Sequence, residues 1–194
     1  MAADSENIQI HCKSNDDSDN VFNEIKKHTS FAKLAEDKQQ ELHTVIDSTF
    51  NAAKNGRWFI PYGELEICYP NFAGGSFSTI HDCKWRGTNI VVKKPIANNI
   101  INIMEFLQEI QICSTLRHPN LVQFLGITFN HSEIIILFEK IYGSNLEEFI
   151  NRKNSMITAP VQKHIVSQLI TTFKFLHNCN PPIIYSCLLY TSDA

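Results

Sequence analysis

Between Val21 and Lys54 apolar residues recur at helical spacing, with Leu42, Val45, Ile46, Phe50 and Ala53 on one face and Gly56 placed to end the helix. The upstream part, bearing Phe22, Ile25, Phe31 and Leu34, predicts a second helix or a bend in the first. Such a stripe can pack on the following domain or pair with another chain. It is too short for a coiled coil, which favours packing on its own domain.

From Trp58 the pattern shortens. Pro61, Pro70-Asn71, Gly74-Gly75 and Gly87 separate β-rich runs at Leu65 to Ile67, Phe77 to Cys83 and Asn89 to Val92, which predict antiparallel strands. Trp85-Arg86-Gly87-Thr88 reads as a turn with Gly supplying the permissive backbone. Residues 100–116 return to helix on Ile103, Leu107 and Ile110, with Phe106, Cys113 and Leu116 beside them, and Pro119 ends it. Leu121 to Phe129 and Ile134 to Phe138 predict a strand pair across Asn130-His131. Ser144 and Glu147 have capping-box spacing for a short helix carrying Leu146, Phe149 and Ile150. A last helix starts near Pro160 and bears Val161, Ile165, Leu169, Phe173 and Leu176. This order gives an α+β fold, a small lobe followed by the opening of a helical one.

Composition narrows the function classes. The chain has 194 residues, 43% of them hydrophobic, and no apolar run of membrane-spanning length. A net charge of -3, with Lys and Arg unclustered, gives no support for nucleic-acid binding. The six cysteines are dispersed without zinc-site spacing, which predicts reduced thiols in a cytoplasmic protein. Residues 1–20 are polar and acidic, unlike a signal peptide, and bury too little to fold.

Three features could carry chemistry. The segment Ala73-Gly74-Gly75-Ser76-Phe77-Ser78-Thr79-Ile80 is either an ordinary turn between strands or a loop whose backbone approaches phosphates. In Ile90-Val91-Val92-Lys93-Lys94 successive side chains alternate faces, so one lysine can point beneath that loop while its neighbours fill a core. On the following helix, Glu105 or Glu109 could reach such a lysine and orient its ammonium toward nucleotide phosphates.

Together with Trp58-Phe59-Ile60-Pro61-Tyr62-Gly63-Glu64-Leu65, Trp85-Arg86-Gly87-Thr88, Leu116-Arg117-His118-Pro119-Asn120 and Phe175-Leu176-His177, these residues resemble a protein kinase of the tyrosine-kinase-like group, mostly serine/threonine specific, over Trp58 to Ile184. The resemblance implies a five-stranded antiparallel small lobe with a regulatory helix, preceded by a helical extension and followed by the first helices of an incomplete large lobe. It implies ATP as cofactor, with Mg2+ in the intact parent, and a protein substrate or signalling partner. Lys93 then corresponds to the phosphate-pairing lysine and Glu109 to its partner. Phe138 falls at the gatekeeper position and Glu139-Lys140-Ile141 at the hinge. Ala73, Gly74, Gly75, Ser76, Phe77, Ser78, Ile80 and Val91 complete the implied nucleotide site. Ala73 and Ser78 depart from the glycines of G-x-G-x-x-G, which implies weaker or slower nucleotide use.

The implied domains are a disordered 1–20, a helical extension 21–57, a small lobe and hinge 58–141, an incomplete large lobe 142–187 and an atypical tail 188–194. After Pro181-Pro182-Ile183-Ile184 the family's H-R-D-L should follow, but the chain reads Tyr185-Ser186-Cys187-Leu188. Cys187 stands where the aspartate would orient the substrate hydroxyl, and a thiol cannot replace that charge and geometry. The alternatives are a pseudokinase-like interaction module and an interrupted kinase sequence; the abrupt failure after Ile184 favours interruption and predicts an inactive chain that at most binds nucleotide.

Overall fold

The computed structural model describes residues 35–74, 78–95, 100–130, 133–152 and 157–184. The expectations for the acidic start, the Phe22-to-Leu34 stripe, loop residues Gly75, Ser76 and Phe77, and everything from Tyr185 onward lie outside them.

Helix α1 spans Glu36–Asn55, with Glu36 and Asp37 in the first turn where the helix dipole favours negative charge. Its stripe buries Leu42, Ile46, Phe50 and Ala53 together with Thr49, and Val45 is partly covered. Gly56 follows the helix, but its φ of -77° needs no glycine; Arg57 takes the left-handed conformation at φ 55°. The N-H groups of Arg57 and Trp58 donate to Lys54 O and Ala53 O at 3.2 and 3.1 Å, closing a Schellman-type end. Glycine is required at 56 for space, because a Cβ there would strike the Trp58 indole and come within 2.9 Å of Ala52 O.

The sheet has strand order β1-β2-β3-β5-β4, every neighbouring pair antiparallel. Strands β1 and β2 are Leu65–Gly74 and Ser78–Trp85; β3 is Thr88–Pro95, β4 Phe124–Asn130 and β5 Glu133–Glu139. Pro70-Asn71 does not divide β1 as the sequence suggests. The strand runs through with register shifts between Ile67 and Tyr69 and between Tyr69 and Ala73. Its edge position accommodates a residue lacking an N-H donor. Between β2 and β3 both turn residues have positive φ, 49° at Arg86 and 80° at Gly87. That is the two-residue hairpin geometry that matches strand twist. A short 3-10 turn, Tyr62–Glu64, brings the Glu64 carboxylate to this hairpin, where it accepts from Trp85 Nε1 at 3.0 Å and Arg86 Nε at 2.8 Å.

The outer edge of β4 is covered by the segment entering from α1. Ile60 N donates to Ile127 O at 2.9 Å and Ile127 N to Trp58 O at 3.0 Å, a parallel bridge that leaves less of the edge open to foreign strands. Gly126 makes this possible, since a Cβ there would run into the Trp58 carbonyl oxygen.

Helix α2, Ile100–Thr115, packs on one sheet face. Strand alternation sends Ile134 and Ile136 to that face, into a core shared with Phe106, Leu107 and Ile110 of α2 and the buried stripe of α1. The extension therefore packs on its own domain, as the short stripe predicts. Ile135 and Leu137 point the other way and join Ile60, Cys83, Ile90 and Val92 in a second core.

The chain divides into two compact units, the second comprising residues 117–123 and 141–194. Leu121 to Gln123 thus belong to the second unit, and β4 starts only at Phe124. In the second unit α3 is Leu146–Arg152 and α4 is Ala159–His177, with Pro160 in the first turn of α4. The side-chain cap sits one residue later than Ser144 and Glu147 suggest. Glu148 N donates to Asn145 Oδ1 at 2.7 Å and Asn145 Nδ2 reaches Glu148 Oε1 at 3.4 Å. Asparagine is as good a cap as serine, and both registers satisfy the same spacing rule. The His118 ring stacks on Phe175 of α4 at 5.0 Å, and Asn120 Nδ2 donates to Gln168 O at 3.3 Å. The His-Pro-Asn string thereby docks its own unit's long helix.

Candidate functional site

Two cross-strand rows build the sheet face toward α2. In one, Ile80 of β2 pairs with Lys93 of β3, which pairs with Ile136 of β5. In the other, Asp82 pairs with Val91, which pairs with Phe138. Because directly paired residues share a face, Ile80, Val91, Lys93 and Phe138 lie together, and Ile90 and Val92 fill the opposite core. All four of these face residues are half-buried.

The centre of this face is an ion pair. Lys93 Nζ donates to both carboxylate oxygens of Glu109, at 2.6 and 2.7 Å, with the two side chains 25 and 32% exposed. The structure thus chooses between the two carboxylates that sequence leaves open: Glu105, a turn earlier on α2, is exposed. The Phe106 ring centroid is 5.9 Å from Lys93 Nζ, so the ammonium also meets an aromatic face. One turn past Glu109, burial pushes the Cys113 thiol up to about 11, with the negative charge of Glu109 adding to it and Lys93 opposing. At neutral pH that thiol is protonated and unreactive.

Phe138 meets Phe124 edge-on at 6.2 Å and packs against the α1/α2 core. Just past β5, Lys140 Nζ lies 2.7 Å from Asp82 Oδ1, a half-buried ion pair. No spacing rule points to that pair, nor to Phe106 beneath the lysine. Glu139 ends β5 opposite Ile90, on the other register face. Ile141 falls in the second unit with its side chain 62% exposed. Of the glycine-loop residues, Ala73 and Gly74 lie in β1, paired with Ile80 and Thr79, and Ser78 opens β2. Gly75, Ser76, Phe77 and Cys187 are outside the described residues.

An antiparallel five-stranded sheet whose third-strand lysine is gripped by a carboxylate from a packed helix is the small lobe of a kinase-like fold. Residues 72–188, more than half of the chain, match the protein kinase domain family, and the chain belongs to that family. It is 28% identical over 141 residues to a putative serine/threonine-protein kinase/receptor, R831, of Acanthamoeba polyphaga mimivirus, covering 72% of this chain and 9% of that protein. It is 28% identical to the serine/threonine-protein kinase CTR1 of Arabidopsis thaliana over 65% of this chain and 16% of the relative. Against the probable serine/threonine-protein kinase drkC of Dictyostelium discoideum the identity is 32%, over 64% and 17%. The chain spans well under a third of the length of these relatives. No helix among the described residues is long and apolar enough to cross a membrane.

Proposed function

We infer that the face formed by Ile80, Val91, Lys93 and Phe138 binds ATP, and that the parent protein is a serine/threonine kinase transferring phosphate to a protein partner. The observation that carries this reading is the two-oxygen grip of Glu109 on Lys93. A lysine held this way keeps a fixed direction and presents its remaining charge to phosphate oxygens. Ile80, Val91 and Phe138 supply half-buried apolar surface suited to a purine ring. The backbone at Glu139 would hold the edge of the base, with the strand ends at Gly74 and Ser78 toward the phosphates. When bound, ATP supplies the transferable phosphoryl group. Among the described residues no group of three His, Cys, Asp or Glu side chains could hold a metal ion, so no ligand set for Mg2+ is assigned.

Titration of the purified chain with ATP, using Lys93→Met as control, tests the reading. Binding should weaken at least about tenfold in the variant, on the order of 1.4 kcal/mol. Equal binding by both proteins would sink it. The thiol at 187, where the family carries its catalytic aspartate, favours a second reading, a pseudokinase-like interaction module. That reading requires a monodisperse chain and a protein partner captured equally well without ATP.

A further inference from the structure

Resting on the reading of Lys93 and Glu109 as a nucleotide-orienting pair, the geometry points to α1 as a clamp that positions Glu109. Helix α1 lies before the span that matches the kinase family, yet its core is continuous with that of α2. Leu42, Ile46, Phe50 and Ala53 bury themselves with Phe106, Leu107 and Ile110, the residues flanking Glu109 in sequence. Apolar packing alone is non-directional and tolerates sliding. A long polar contact runs beside it. Thr49 is 2% exposed; its hydroxyl donates to Val45 O at 2.8 Å and accepts from Gln111 Nε2 at 3.5 Å, two residues from Glu109.

Helix α1 is itself anchored on the sheet. Phe50 stacks on Phe129 of β4 at 4.4 Å, and the Schellman end leads straight into the bridge between Trp58–Ile60 and β4. Helix α2 is thus braced by the sheet and by a second helix tied to the same sheet. Phe106 belongs to both systems, buried in the shared core with its ring 5.9 Å from the Lys93 ammonium. Loosening α1 frees α2 to shift, and a shift of α2 takes the Glu109 carboxylate away from Lys93. Residues Ile46, Thr49 and Phe50 are positioning residues in this sense; none of them needs to touch nucleotide.

The test uses the full chain with Ile46→Ala and the milder Thr49→Val, each in the parent and in a Glu109→Gln background. Hydrogen exchange compares amides of α2 with those of β5, and ATP titration follows affinity. Exchange in α2 should quicken by on the order of tenfold in Ile46→Ala while β5 holds its protection. ATP affinity should fall by on the order of tenfold in the parent background and by less than about twofold in the Glu109→Gln background. Equal losses in both backgrounds, or exchange rising evenly through α2 and β5, would overturn the clamp. Should Ile46→Ala fail to fold, Thr49→Val decides alone: selective loosening of α2 supports the clamp and unchanged exchange defeats it. A parent chain that does not bind ATP defeats the reading of the site, and the exchange comparison then still decides the mechanical link.

Discussion

In the first unit Ile46, Leu107, Ile110, Ile127, Ile136 and Leu137 are at most 1% exposed, whereas in the second Leu176 and Thr172 are the buried side chains among the described residues. Val166, Leu169 and Ile170 of α4 stand 51, 44 and 61% exposed. The difference follows from architecture. A sheet offers two faces, and in the first unit two helices pack on one while Ile60 joins the core on the other. On α4 the apolar residues extend around more than one face, beyond what a single neighbour can cover. Foldability in this chain is therefore concentrated in the region that carries the candidate site.

The contrast breaks if core truncation costs the same in both units. Leu107→Ala should destabilise by about 2–5 kcal/mol, and Leu169→Ala should stay within about 0.5 kcal/mol, measured by urea denaturation followed by circular dichroism. Gly126→Ala sharpens the comparison by attacking the sheet edge without removing any side chain. The clash with the Trp58 carbonyl should cost about 1–3 kcal/mol on the same measurement, and a neutral result would show that the bridge can yield. The smallest effect concerns Glu64, whose carboxyl is held below its ordinary value of 4.5, first by the Arg86 hydrogen bonds and then by that from Trp85. A lowered folded-state value means stabilisation that is complete above the unfolded value and lost as pH falls through the folded one. Melting temperature should accordingly fall less steeply below pH 4.5 in Glu64→Gln than in the parent. Identical slopes would mean that the pair, with Arg86 70% exposed, contributes nothing measurable.

Most of the first unit was legible because its periodicities are clean: the α1 stripe, the strand alternation around Lys93 and the helix carrying Glu109 all reappear in the structure. What escaped depends on contacts distant in sequence or on near-degenerate local rules. Asn145 and Ser144 offer almost equal caps, and the pattern cannot rank them. Trp58 bridging Ile127, Glu64 reaching Arg86 and Lys140 reaching Asp82 are set by tertiary packing. Glu105 and Glu109 share a helix face to first approximation; the packing of α2 on the sheet, which brings Glu109 to Lys93 and leaves Glu105 exposed, decides between them.

The placement of the aromatic residues has a practical corollary. Both tryptophans of the chain lie in the first unit, Trp58 edge-on to Phe124 at 5.4 Å and Trp85 hydrogen-bonded to Glu64 at the hairpin tip. Intrinsic indole emission is consequently a label-free optical reporter of the sheet and its α1 junction. Melting of α3 and α4 would register in the helical ellipticity while the indole signal still marked a folded sheet.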